Sequence, residues 1–155
     1  MEIVSASEVI LLDGGMGREL WYRGVEVPAS IWSANALLVA PETVRQIHED
    51  YIEAGADIIT TNTYATLRHT FAALGIEDRF EELVTLACEL AVAARQAKDP
   101  SVNIAGSLPP LEESYRPDLV RSLDELLPRN REMVHLMSPY VDLFLCETMS
   151  SSTEA

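Results

Sequence analysis

Two carboxylates stand at the ends of apolar runs, where an α/β sheet would expose them to a ligand. Asp13 follows the run at residues 9–12, and Glu147 closes the run at residues 141–147. A carboxylate ending an otherwise apolar strand is costly to bury unless it meets a cation or hydrogen-bond donors. A ligand ammonium is one such partner, and an arginine of the protein is the other. If Glu147 points inward, the two-residue period of a strand sends Leu145 and Leu143 inward as well. The same alternation turns Cys146 outward against the helices, as a packing residue.

The glycines after Asp13 superficially suggest a nucleotide loop. In Asp13-Gly14-Gly15-Met16-Gly17, however, Leu20 occupies the place of the third glycine, and no acidic residue ends the next strand. The dinucleotide reading is rejected on both counts. The glycines instead suit a tight turn that lets backbone approach a ligand, with Asp13 either facing that ligand or capping the turn. Trp32, in the loop that follows, is placed to wall a small-molecule pocket or simply to pack the loop.

The other chemistry-bearing residues read as structural. Cys88 lies beside the apolar stripe of a helix, where a free cysteine behaves as a small hydrophobe. His48, His69 and His135 fall in helical segments, away from any strand end. Cys88 and Cys146 are the only cysteines and form no CxxC pattern, so neither a disulfide framework nor a local zinc motif is expected. A reducing, cytoplasmic setting fits this usage.

The elements that must carry these residues alternate. Short apolar or β-branched runs at residues 9–12, 57–62, 102–107 and 141–147 predict four strands, the first buried on both faces as in a parallel sheet. Between them, helical spacing predicts a helix from Pro41 to a stop at Gly55, another at 67–74 and a strongly amphipathic one at 80–94. A further helix starts at the Ser122/Glu125 capping-box spacing, with Pro128 expected to break or kink it. The loop at 108–118, LPPLEESYRPD, is long and polar, and Ser151 with Glu154 repeats the capping-box spacing near the last residue.

Strand–helix alternation of this kind demands an α/β fold with a parallel sheet. Each predicted strand ends in a polar residue (Asp13, Asn62, Ser107, Glu147), as where the loops of a barrel build one site together. Four βα units fill the 155 residues, and eight would need about twice that, within the usual barrel range. Residues 1–155 are therefore expected to form a single partial domain, the N-terminal half of a TIM (β/α)8 barrel.

Composition narrows the partners. The chain is 48% hydrophobic and 23% charged, as in ordinary globular proteins. Its 11 Lys+Arg against 25 Asp+Glu give a net charge of −14, which repels phosphate backbones and anionic lipid. Neither nucleic acid nor a membrane surface is an expected partner. The first residues carry no basic region, and the run at 9–12 is too short for a signal peptide or a membrane span.

Read in order, LLDGGMGREL, PASIWSANAL, GADIITTNTY, IAGSLPPLEESYRPD and DLFLCETM resemble the homocysteine S-methyltransferase family from about residue 10 to residue 155. The resemblance implies a barrel enzyme of methionine biosynthesis. It would move a methyl group from a small donor, such as S-methylmethionine or S-adenosylmethionine, onto the zinc-bound thiolate of homocysteine. Acidic residues ending strands one and four then hold the amino-acid end of homocysteine, which assigns Asp13 and Glu147 to that role. Trp32, Asn62 and Thr148 fall in matching motifs and are expected to line the pocket. The family's zinc cysteines lie in a glycine-asparagine-cysteine motif and a later double cysteine of the second half-barrel, and this sequence contains neither. Cys88 and Cys146 are not expected to replace them, so the chain by itself should bind zinc poorly and show no turnover. The alternative is a non-catalytic α/β module that self-associates through exposed sheet edges, or pairs with a missing half-barrel.

Overall fold

Parallel strands cannot be joined by tight turns, and in this chain helices make the crossovers. The computed structural model describes residues 9–155; residues 1–8, which bear on the expectation of no signal peptide, lie outside the described residues. In chain order the elements are α1 (Met16–Tyr22), α2 (Asn35–Val39), α3 (Pro41–Glu53), β1 (Ile58–Thr60), α4 (Arg68–Ala73), α5 (Phe80–Lys98), β2 (Asn103–Leu108), α6 (Leu123–Met137) and β3 (Leu143–Cys146). Short 3-10 turns at Trp32–Ala34, Glu77–Arg79 and Pro117–Leu119 join them. The three strands pair in parallel in the order β1-β2-β3, with Ile59 beside Ile104 and Ser107 beside Leu145. The fold is α/β with a parallel sheet.

Helix limits follow local chemistry. α3 opens on Pro41, whose missing N–H is needed by no helical bond, and the chain leaves it through Gly55 at a φ of +97°. α6 begins with a capping box in which Ser122 and Glu125 exchange hydrogen bonds. It runs unbroken through Pro128, so of the expected break or kink the break does not occur. Pro128 and Asp124, whose carbonyl loses its partner, are both solvent-exposed, so water can satisfy the orphaned group. At residues 150–154 the second capping-box spacing forms a turn: the Glu154 N–H donates to Ser151 Oγ (3.2 Å), and the Glu154 carboxylate accepts from the Ser150 N–H (2.9 Å).

One face of the sheet is covered by helices. Ile59 and Ile104 are fully buried against Ile52 of α3 and Ala91 and Ala94 of α5. A larger core joins Leu20, Val44, Ile47, Phe71, Phe80, Leu83 and Met137 from five helices. Gly106 keeps this layer close: a Cβ there would stand 3.1 Å from the Phe144 ring and 3.4 Å from the Met137 sulfur, and those side chains would have to give by a few tenths of an ångström.

The expected first strand is reduced to a single bridge, between Leu12 and Ile58. Residues 11–13 do run parallel to β1, with the Asp57 N–H donating to the Leu11 carbonyl (2.8 Å) and the Asp13 N–H to the Ile58 carbonyl (3.0 Å). The expectation of burial on both faces fails: Val9 is 92% exposed, and Leu11 and Leu12 are about half exposed. With one sheet neighbour and no covering helix among the described residues, an apolar run has nothing to bury against.

Among the described residues His48 has no polar partner: it is fully buried in α3, and neither ring nitrogen makes a hydrogen bond with them. Burial alone pushes its pKa down from 6.5 to about 4. The unfolded chain therefore takes up a proton that the folded chain refuses. The stability His48 contributes is intact above pH 6.5 and is lost as the pH falls to about 4, by up to about 3 kcal/mol. Urea unfolding at pH 7 and pH 4 should show His48→Leu losing less stability than the parent over that interval; equal losses would refute the assignment.

Candidate functional site

The carboxyl ends of the strands open into a cleft of about 1310 Å³, lined among others by Asp13, Trp32, Asn62, Glu147 and Thr148. All five residues singled out in the sequence thus reach one cavity, from four separate loops. Their side chains have different tasks there.

Asp13 is held by β1. Its carboxylate accepts from the Thr60 N–H (2.7 Å) and from the Thr60 hydroxyl (2.9 Å). Burial nevertheless outweighs these donors and raises its pKa from 3.8 to about 6, with the Glu147 charge pushing the same way. The cleft therefore holds a carboxyl group that titrates just below neutrality. Gly14 beside it is needed for a close approach: a Cβ at that position would lie 2.6–2.9 Å from the Tyr51 ring and hydroxyl.

Glu147 is held by β2. Ser107 stands opposite Leu145, two residues before Glu147 on the same face, and its hydroxyl donates to Glu147 Oε2. Leu145 lines the cleft as the alternation predicts. Cys146 does turn to the other face, but it is exposed and not packed under a helix. Among the described residues no helix follows β3 to cover it. Cys88, by contrast, is fully buried in α5, and burial pushes its thiol pKa up to about 12.

Asn62 acts on the loop that carries Trp32. Its Nδ2 donates to the Ser33 carbonyl (2.9 Å), and the side chain is 3% exposed. Trp32 itself is 61% exposed at the cleft, with a φ of +46°, and Thr148 shares that left-handed conformation at +55°. Such backbone is costly for residues with a Cβ and clusters at ligand sites.

Several residues at the site were not predicted from sequence. Thr60 and Ser107 hold the two carboxylates, and Thr61 and Thr63 tie β1 to β2 beneath them. The pattern of polar residues at strand ends flagged Ser107, but its partner followed only from register. His69, read as remote from the strand ends, lines the cleft. The Tyr64 hydroxyl meets Ser114 Oγ and so pins the 108–118 loop to the same end.

Zinc does not fit these residues. Among the described residues no three His, Cys, Asp or Glu side chains converge as a metal site requires. The two cysteines lie in a helix core and on the sheet face away from the cleft.

The Asp13 environment is open to test. Thr60→Val keeps the backbone donor and removes the hydroxyl, so the Asp13 midpoint should rise above about 6 in a carbon-13 NMR titration. An unchanged or lowered midpoint would contradict the hydrogen bond.

Comparison with known proteins agrees over nearly the whole chain. A model of the family described as homocysteine S-methyltransferase matches residues 10–155. Homocysteine S-methyltransferase YbgG of Bacillus subtilis is 34% identical over 170 aligned positions, covering 99% of this chain and 54% of that protein. Homocysteine S-methyltransferase of Escherichia coli is 32% identical, covering 98% and 54%. The metallated form of the E. coli homocysteine methyltransferase MmuM superposes with a TM-score of 0.85 at 34% identity, over 96% of this chain and 57% of that one. The chain spans about half the length of these relatives. By sequence and by fold, it belongs to the homocysteine S-methyltransferase family.

Proposed function

We propose that the cleft binds the amino-acid end of homocysteine through Asp13 and Glu147, and that the chain is the N-terminal half of a (β/α)8 barrel that methylates the homocysteine thiol. The observation that carries this reading is the pair of carboxylates facing one cleft, each already held by protein donors and, among the described residues, neither ion-paired with a cation. An ammonium supplies the missing charge in a charge-assisted contact. Trp32 and Thr148 line the ligand's surroundings, and Asn62 fixes the loop of Trp32. Family membership supports homocysteine as the ligand carrying that ammonium.

In the reaction, the acceptor thiol loses its proton to solvent and the thiolate sulfur bonds to the donor's methyl carbon. The bond from that carbon to the donor's sulfur breaks, and its electron pair leaves with the donor. S-methylmethionine and S-adenosylmethionine are both donors of this class, and methionine is the product, which places the activity in methionine biosynthesis. This chain's residues contribute binding and orientation. The described residues do not provide ligands for zinc. Two free cysteines are consistent with a cytoplasmic setting; no helix among the described residues is long and apolar enough to cross a membrane.

Because an ammonium is drawn to ionised Asp13, binding should tighten as pH rises through about 6. Calorimetry with L-homocysteine should find affinity about tenfold weaker at pH 5 than at pH 7. Asp13→Asn and Glu147→Gln should each weaken binding roughly ten- to a hundredfold, the range for a hydrogen bond to a charged group. Affinity indifferent to both substitutions would remove the amino-acid reading.

A second reading, self-association through the sheet edges, is favoured by the exposed side chains of Val9, Leu11, Leu12 and Phe144. Light scattering after size exclusion should then show a dimer or larger species that Phe144→Lys reduces. A monomer at all concentrations would exclude it.

A further inference from the structure

Beneath the cleft, one buried network joins the ends of all three strands. Ser107 is fully buried, and Thr61 and Thr63 are 3% and 0% exposed. The Ser107 N–H donates to Thr61 Oγ1 (3.1 Å), Thr61 Oγ1 meets Thr63 Oγ1 (2.8 Å), and the Thr63 hydroxyl donates to the Ser107 carbonyl (2.9 Å).

The direction of every bond can be deduced. Each hydroxyl has one proton. Thr63 spends its own on the Ser107 carbonyl, so in the contact with Thr61 it must accept. Thr61 therefore donates to Thr63 and accepts from the Ser107 N–H. Ser107 is gripped at both backbone groups by the threonines that follow β1, which leaves its hydroxyl to donate to Glu147 Oε2 just past β3. A donor fixed in this way favours a single side-chain orientation of its acceptor, leaving the other oxygen of Glu147 for the cleft.

We propose that Ser107 is a positioning residue for ligand binding: clamped by Thr61 and Thr63, its hydroxyl holds the Glu147 carboxylate aimed at the substrate ammonium. This rests on the reading of the cleft given above and adds the group that orients its anchor. Ser107 touches no substrate and acts through Glu147. The threonine clamp makes the arrangement rigid, since moving Ser107 breaks bonds on two neighbouring strands.

The test has a ligand-free arm and a ligand arm, both on the 155-residue chain. In the first, carbon-13 NMR at pH 8 follows the Glu147 carboxyl resonance. Ser107→Ala should displace it, and Ser107→Thr, which restores a hydroxyl, should return it toward the parent position. In the second, calorimetry with L-homocysteine should show Ser107→Ala weakening binding about tenfold, with Ser107→Thr recovering most of the loss. In a Glu147→Gln background, Ser107→Ala should cost less than twofold, a coupling that a merely structural role would not produce. Ser107→Cys, which keeps the volume but donates weakly, serves if the alanine variant does not fold, and it should displace the resonance and weaken binding in the same sense. An undisplaced resonance, or a displaced one with unchanged affinity, overturns the proposal. A parent chain that binds no L-homocysteine, while the resonance still responds to Ser107, overturns the cleft reading and leaves the clamp on Glu147 standing.

Discussion

A carboxylate withdrawn from water must be given donors, and this requirement ties the strands of the sheet together at both ends. Near the strand starts, Asp57 accepts from the Leu11 N–H and Asp142 from the Ile104 N–H, each at 2.8 Å. At the strand ends, Asp13 accepts from Thr60 and Glu147 from Ser107. Each carboxylate reaches across to the adjoining segment, so the run at 9–13 is clipped to β1 and β2 is clipped to β3, above and below. The threonine network joins β1 to β2 between them. A short three-stranded sheet with little backbone pairing gains from these bonds a defined register, and register decides which side chains share the cleft.

The two ends differ in consequence. Asp142 is ion-paired with Arg95 (2.7 Å) and partly exposed, so its charge is settled within the protein. Among the described residues Asp13 and Glu147 have only neutral donors, and the Glu147 charge adds to the cost of ionising Asp13. Burial wins over hydrogen bonding at Asp13, which holds its carboxyl near the middle of the physiological range. A cation placed in the cleft would offset this charge, and the strands beneath are held by bonds that do not involve a ligand.

Much of this was legible before any coordinates. Helical spacing located α3 and α5, the capping spacing at Ser122 located α6, and β-branched runs located β1, β2 and β3 to within a residue or two at most edges. These signals are local, arising from the periods of strand and helix and from single turns. The run at 9–12 misled because apolar composition reports a demand for burial, whereas burial itself depends on neighbours. Pro128 misled for a related reason: its cost depends on whether water can reach the carbonyl it orphans. His69 lies away from the strand ends when distance is counted along the chain, yet tertiary structure brings it to the cleft.

By itself the sequence determined the α/β class, the order of the elements and the two acidic strand ends, since each depends on residue type and short-range spacing. Tertiary structure alone decided which donors those carboxylates meet. That Thr60 serves Asp13, that Ser107 serves Glu147, and that Thr61 and Thr63 grip Ser107 all depend on strand register, a relation between residues some forty positions apart that no local period encodes. The same holds for the Asp13 titration near pH 6, because desolvation is a property of everything packed around a group.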